Sequence, residues 1–174
     1  DISNYPPRSH YLKELNITFK DADNIFIGTT GNTSREMYSY MKKTKNFYMA
    51  GNMGGALSIG LGAALSGKKA IVCGGDAEFV MHMGGLVTSG RYQDIKGQLI
   101  YIVFDNHSNK STGGQRTYQE HVDYKEIARF SGFTQEKETI KDLNFFKRAL
   151  TSSQKKKMHF LHVKCSFDEI TERP

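Results

Sequence analysis

The sequence predicts an α/β domain of three layers, α/β/α, with helices over both faces of a mostly parallel sheet. Three observations carry that reading. Short apolar runs rich in β-branched residues alternate along the chain with stretches of helical periodicity, as crossover-connected parallel strands require. Two of these runs, Ala70-Ile71-Val72-Cys73-Gly74-Gly75-Asp76-Ala77 and Leu99-Ile100-Tyr101-Ile102-Val103-Phe104-Asp105-Asn106, carry almost no charge until they end, as strands buried on both faces do. The prolines, Pro6, Pro7 and Pro174, all lie near the ends, so none interrupts an interior element.

The elements follow in order. A short helix is expected over residues 9–15, then a brief strand over 24–27 that runs into Gly28-Thr29-Thr30-Gly31-Asn32-Thr33. A helix over 34–43 takes Ser34 or Thr33 as its cap. A second short strand, 47–50, leads through Gly51-Asn52-Met53-Gly54-Gly55 to a small-residue helix over 56–66, where Gly60, Gly62, Ala63 and Ala64 lower propensity but permit close approach to the sheet. The strand ending at Asp76 precedes one helix over 78–92, whose Phe79, Met83, Leu86 and Val87 at helical spacing read as a core stripe. After the strand ending at Asp105 comes a polar loop through Gln119, then helices over 124–131 and 141–152, a last strand over 160–165 and a polar tail over 168–174.

At 174 residues the chain, 1–174, is expected to be one domain, too short for two of ordinary size. It has no run of eighteen apolar residues and no opening secretory segment, so the expectation is a cytoplasmic protein without a membrane span. Cys73 and Cys165, both in apolar runs, read as buried reduced thiols. The net charge of +6 owes much to Lys42-Lys43-Thr44-Lys45 and Lys155-Lys156-Lys157, placed beside helix ends where cations complement the dipole. No basic-aromatic module accompanies these runs, so nucleic-acid binding is not expected; the field suits small anionic substrates.

Three glycine-bearing turns (28–33, 51–55 and 74–77) follow three strands, so all face one edge of the sheet, together with the loop Asp105-Asn106-His107-Ser108-Asn109-Lys110-Ser111-Thr112-Gly113-Gly114-Gln115. Asp76 and Asn106 would sit at neighbouring strand tips. Their carboxylate and amide oxygens are hard donors suited to Mg²⁺, which usually completes its shell with phosphate oxygens. Backbone amides of the long loop can cradle phosphate, and Lys110 adds charge. No zinc spacing, P-loop or hydrolase triad is present: Ser111 has no evident His/Asp partner, and His10, His82, His121, His159 and His162 stand apart from the motifs.

Gly75-Asp76-Ala77 followed, after residues 78–104, by Asp105-Asn106 resembles the GDG…NN signature of thiamine diphosphate enzymes. The resemblance covers residues 24–165 and implies the thiamine diphosphate-binding fold of their pyrophosphate-binding (PP) domain. Thr29-Thr30-Gly31-Asn32-Thr33-Ser34-Arg35-Glu36, Gly51-Asn52-Met53-Gly54 and Ser111-Thr112-Gly113-Gly114-Gln115 are similar to segments of the phosphonopyruvate and sulfopyruvate decarboxylases. The resemblance implies Mg²⁺ ligation by Asp76, the Asn106 side chain and the Ser108 carbonyl. It places Gly75, Ala77, Glu78, Asn32, Thr33, Lys110 and Ser111 against the cofactor, with Met53 propping its bent form and the Gly51 carbonyl accepting from its aminopyrimidine. Three positions depart from the pattern: Ala77 for the second glycine, Asp105 for the first asparagine, and Asn109 where the decarboxylases usually carry histidine.

The expected function is therefore the pyrophosphate- and Mg²⁺-binding half of a lyase that converts phosphonopyruvate to phosphonoacetaldehyde and CO₂. The cofactor-activating glutamate is expected on a pyrimidine-binding (PYR) domain, which no segment of this chain resembles; no catalytic residue is assigned here. The chain would act in an oligomer, as a separate subunit or part of a longer polypeptide. Alternatives are a sulfopyruvate or other 2-oxoacid decarboxylase, a non-catalytic cofactor-binding subunit, and a doubly wound domain for another phosphate ligand.

Overall fold

The computed structural model describes residues 1–166, so the predicted tail over 168–174 lies outside the described residues. After one 3₁₀ turn (Ile2–Asn4) come α1 (Arg8–Thr18), β1 (Asn24–Gly28), α2 (Asn32–Tyr40), β2 (Lys45–Tyr48) and α3 (Ala56–Leu65). Then follow β3 (Lys69–Gly75), α4 (Asp76–Met81), α5 (Gly84–Gly90) and β4 (Gln98–Asp105). A small hairpin, β5 (Ser108–Asn109) and β6 (Gln115–Arg116), precedes α6 (Tyr124–Phe130), β7 (Thr134–Gln135), α7 (Leu143–Ser153) and β8 (Met158–Lys164).

Six strands form one sheet in the order β2-β1-β3-β4-β8-β7, and every pairing in it is parallel. The period-2 alternation of the central strands splits the core between two faces. Ile71, Cys73, Ile100, Ile102 and Phe104 pack with Tyr11, Leu15 and Phe146 of α1 and α7. Val72, Leu99, Tyr101 and Val103 pack on the other side with Leu57, Leu61 and Ala128 of α3 and α6. All eight residues of β4 are buried, as its uninterrupted apolar run requires. Both cysteines are buried.

The chain passes from β1 outward to β2, then returns to place β3 on the opposite side of β1 and continues outward to β4. This reversal opens a crevice beyond the carboxyl ends of β1 and β3, where ligands of open parallel sheets bind.

The predicted elements are present with shifted bounds, and three expectations are corrected. The helix expected over 78–92 is two helices, because His82 leaves helical geometry at φ −133° and ψ 42° and Gly84-Gly85 restarts the chain. Its apolar stripe is only half core: Phe79 and Leu86 are buried, whereas Met83 and Val87 face outward because the break rotates the second helix. The residues capping α2 are not Thr33 or Ser34; Gly31, at φ +88°, holds the N-cap position, and Ser34 Oγ donates instead to the Thr29 carbonyl at 2.6 Å. The polar loop after β4 also contains a hairpin, and the two-residue β7 is additional to the predicted strands.

Of the two glycines in α3, only Gly60 is needed for its close approach to the sheet. A Cβ there would lie 2.3 Å from Val72 Cγ2, whereas one at Gly62 would meet nothing within 4 Å. Gly60→Ala is expected to destabilise the fold by about 1–3 kcal/mol through overpacking. Gly62→Ala should instead stabilise by up to about 1 kcal/mol through helix propensity. Urea midpoints of the two variants check the contrast.

Candidate cofactor- and metal-binding cleft

Three strand ends build the site. From β1, Thr29 donates its N–H to the Cys73 carbonyl at 2.9 Å, which ties the 28–33 turn to the tip of β3. From β3, Asp76 opens α4, and Glu78 Oε2 accepts the Gly75 N–H at 3.2 Å. From β4, Asn106 Oδ1 accepts the Ser108 N–H at 3.1 Å, closing a tight turn around His107, which adopts left-handed geometry at φ 57°. The β5–β6 hairpin then carries Lys110 and Ser111 over the cleft and returns to Thr117. Thr117 donates its N–H to the His107 carbonyl at 3.0 Å and its hydroxyl to Asp76 Oδ2 at 2.9 Å.

The cleft is open to solvent and, counted with its mouth, spans about 390 Å³. Asn32, Thr33 and Met53 line one wall, Gly75, Asp76, Ala77 and Glu78 the next. Asn106, Ser108, Lys110 and Ser111 close it, with Asn109 beside them. The walls touch: a Cβ on Gly31 would come within 2.9 Å of Ser111 Cβ. Among the residues singled out from sequence, only Gly51 is not part of the lining. It sits on the exposed limb of its turn at φ +70°, ahead of Met53.

Two groups here escaped the sequence. Arg8 of α1 lines the cleft, although it lies outside every motif. Its Nε and Nη2 each donate to Glu36 of α2 at 3.0 Å, a bidentate pair only 4% and 1% exposed. His82 and His162, which stand apart from the motifs in sequence, also take part. His82 Nδ1 lies 2.7 Å from the Gly54 carbonyl and fixes the turn bearing Met53. His162 Nε2 donates to Asp105 Oδ2 at 2.9 Å. The parallel register of β4 and β8 brings His162 to Asp105 across a long sequence separation, which local spacing does not reveal.

The electrostatics suit a cation. Burial lifts the Asp76 carboxyl to about 6, helped by the charge of Asp105 and opposed by the Thr117 hydroxyl and nearby amides. Burial also raises Glu78 to about 7. Burial would raise Asp105 too, but hydrogen bonds from His162 and Lys164 outweigh it and hold that carboxyl at about 2. No cluster of three or more His, Cys, Asp or Glu suited to a metal exists among the described residues. The cleft instead offers one costly buried carboxylate, Asp76, with Asn106 and Ser108 in the same lining, and oxygens of these residue types fit Mg²⁺ completed by phosphate.

A switch-point cleft of this composition marks an α/β protein with room for a phosphorylated ligand at its strand tips. Residues 27–163 match the family "Thiamine pyrophosphate enzyme, C-terminal TPP binding domain", and the chain belongs to that family. A phosphonopyruvate decarboxylase of Streptomyces viridochromogenes is 39% identical over 112 residues, covering 64% of this chain and 28% of that protein. Sulfopyruvate decarboxylase subunit beta of Methanothermobacter thermautotrophicus is 41% identical over 112 residues, covering 64% of this chain and 60% of that subunit. The corresponding subunit of Methanocaldococcus jannaschii is 38% identical over 132 residues, 74% of this chain and 68% of that subunit. The chain thus spans about a quarter of the Streptomyces protein and about three fifths of the first subunit. A solved structure described as a thiamin diphosphate-dependent enzyme from Mycobacterium smegmatis superposes with a TM-score of 0.75 at 15% identity, over 95% of this chain and 32% of that one. No helix among the described residues is long and apolar enough to cross a membrane.

Proposed function

We propose that the chain is the pyrophosphate- and Mg²⁺-binding half of a thiamine diphosphate-dependent 2-oxoacid decarboxylase that converts phosphonopyruvate to phosphonoacetaldehyde and CO₂. The observation that carries the reading is the convergence of Asp76, Asn106 and Ser108 on one cleft at the strand switch point of a chain from this family. Asp76, the Asn106 side chain and the Ser108 carbonyl hold the metal. Asn32, Thr33, Lys110, Ser111 and the residues 75–78 receive the diphosphate, while Met53 shapes the cofactor's bend and Gly51 faces its aminopyrimidine once the partner closes the rim. The bound cofactor supplies the electron sink that lets CO₂ leave a 2-oxoacid; the protein supplies position and field. The whole site needs a pyrimidine-binding domain with the activating glutamate, from a partner subunit or another part of the polypeptide, in an oligomer. The buried thiol of Cys73 accords with a cytoplasmic setting.

A second substrate, sulfopyruvate, is favoured by the Methanocaldococcus beta subunit, of which this chain covers 68%. Calorimetry with thiamine diphosphate on the chain joined by its pyrimidine-binding partner should show binding that requires Mg²⁺, and absence of uptake with both present sinks the reading. With the pyrimidine-binding partner supplied, CO₂ release from phosphonopyruvate is expected. Release from sulfopyruvate alone moves the assignment to the second substrate.

A further inference from the structure

The metal-bearing turn stands on an unusual residue. His107, between Asn106 and Ser108, adopts left-handed geometry at φ 57°. A side chain in that region costs about 1–2 kcal/mol, and such strain persists only where its surroundings over-determine it. Here both ends of His107 are held. Asp105 Oδ1 accepts its backbone N–H at 3.3 Å, and Lys164 Nζ lies 2.7 Å from its Nε2. Asp105 is itself 1% exposed and pinned from β8, by His162 Nε2 at 2.9 Å and by Lys164 Nζ at 2.6 Å. The register explains the meeting, since Asp105 pairs with Lys164 and Val103 with His162 across the β4–β8 ladder. Thr139 Oγ1 lies 3.2 Å from His162 Nδ1, so a hydroxyl donating there leaves Nε2 protonated and directed at Asp105.

We infer that Lys164 and His162, acting through Asp105, are positioning residues that hold the His107 turn so that Asn106 and the Ser108 carbonyl face the metal beside Asp76. The inference rests on the proposed cofactor reading and deepens it. The β8 cations and Asp105 form one device: where the family pattern has an amide, this chain has a buried carboxylate, and the next strand supplies its partners. The same network reaches Asp76 itself, because the His107 carbonyl holds the N–H of Thr117, whose hydroxyl holds Asp76.

The test is titration of Mg²⁺ into the intact protein at saturating thiamine diphosphate, with apoprotein melting measured alongside. Coulomb's law alone makes Lys164→Met tighten the cation, because it leaves Asp105 unneutralised near the metal. Loss of positioning does the opposite: Lys164→Met should weaken Mg²⁺ by roughly 10–100-fold, the usual effect of losing a group that orients a ligand. Asp105→Asn/Lys164→Met should return to within about threefold of wild type, since the amide still accepts from His107 and His162 and no buried charge is left unpaired. Asp105→Leu/Lys164→Met, which removes both charges together with the acceptor of the His107 N–H, should weaken Mg²⁺ like Lys164→Met and replaces it if that variant does not fold. Unchanged or tighter Mg²⁺ binding in Lys164→Met, or in Asp105→Leu/Lys164→Met, overturns the inference alone. A wild-type protein that takes up no thiamine diphosphate overturns the functional reading, and the inference falls with it.

Discussion

Asp76→Asn is expected to raise the melting temperature of the apoprotein at pH 7 while abolishing Mg²⁺-dependent uptake of the cofactor. Asp76 is 3% exposed, and its carboxyl is raised from 3.8 to about 6, chiefly by burial. The folded chain therefore holds that proton more tightly than the unfolded chain does. Stability attributable to Asp76 falls as pH rises from about 4 towards 6, and the full cost is present above the folded value. A shift near two units corresponds to roughly 3 kcal/mol, at about 2–4 °C per kcal/mol for a chain of this size. An asparagine removes the charge and keeps an oxygen for the Thr117 hydroxyl. The gain should shrink as pH is lowered towards 4, where the aspartate is already neutral. Melting curves at pH 4.5 and 7 with and without Mg²⁺ check both halves of the expectation. A less stable Asp76→Asn apoprotein at pH 7 would mean that the carboxylate holds the fold together rather than waiting for a cation.

The strands ending at Asp76 and Asp105 were legible because strands covered on two faces must be apolar throughout, and each run stops where the ligands begin. The turns were legible for a related reason: at one edge of a parallel sheet, successive strand-to-helix turns are forced into proximity whatever their sequence distance. The break at His82 was not, since Phe79, Met83, Leu86 and Val87 keep helical spacing across it and the His82 side chain meets Gly54, a residue distant in sequence. The partners of Asp105 were hidden for a different reason. Nothing in residues 158–164 announces a neighbour; only the strand order, which places β8 beside β4, aligns Lys164 with Asp105. Sequence periodicity specifies which face a side chain takes, whereas strand order specifies what it meets there.

Arg8 and Glu36 give the second large effect, on stability and binding together. Both are nearly unexposed, and their forked contact joins α1 to α2 at the wall of the cleft. Glu36→Leu should destabilise the protein by about 3–5 kcal/mol, because it leaves a guanidinium buried without its carboxylate. The double variant Arg8→Met/Glu36→Leu should recover most of that loss, since an apolar pair of similar volume needs no compensation for desolvated charge. Its cofactor affinity should nevertheless stay low. The pair is neutral overall, but Arg8 and not Glu36 lines the cleft, so an anionic diphosphate loses the positive end of that dipole in a place where solvent screens little. Chemical denaturation and calorimetry on the two variants separate the contributions: recovery of the midpoint without recovery of affinity assigns Arg8 to the ligand as well as to the fold. Recovery of both would confine the pair to joining two helices, and the Glu36 of the Thr33-Ser34-Arg35-Glu36 segment would then owe its place to packing alone.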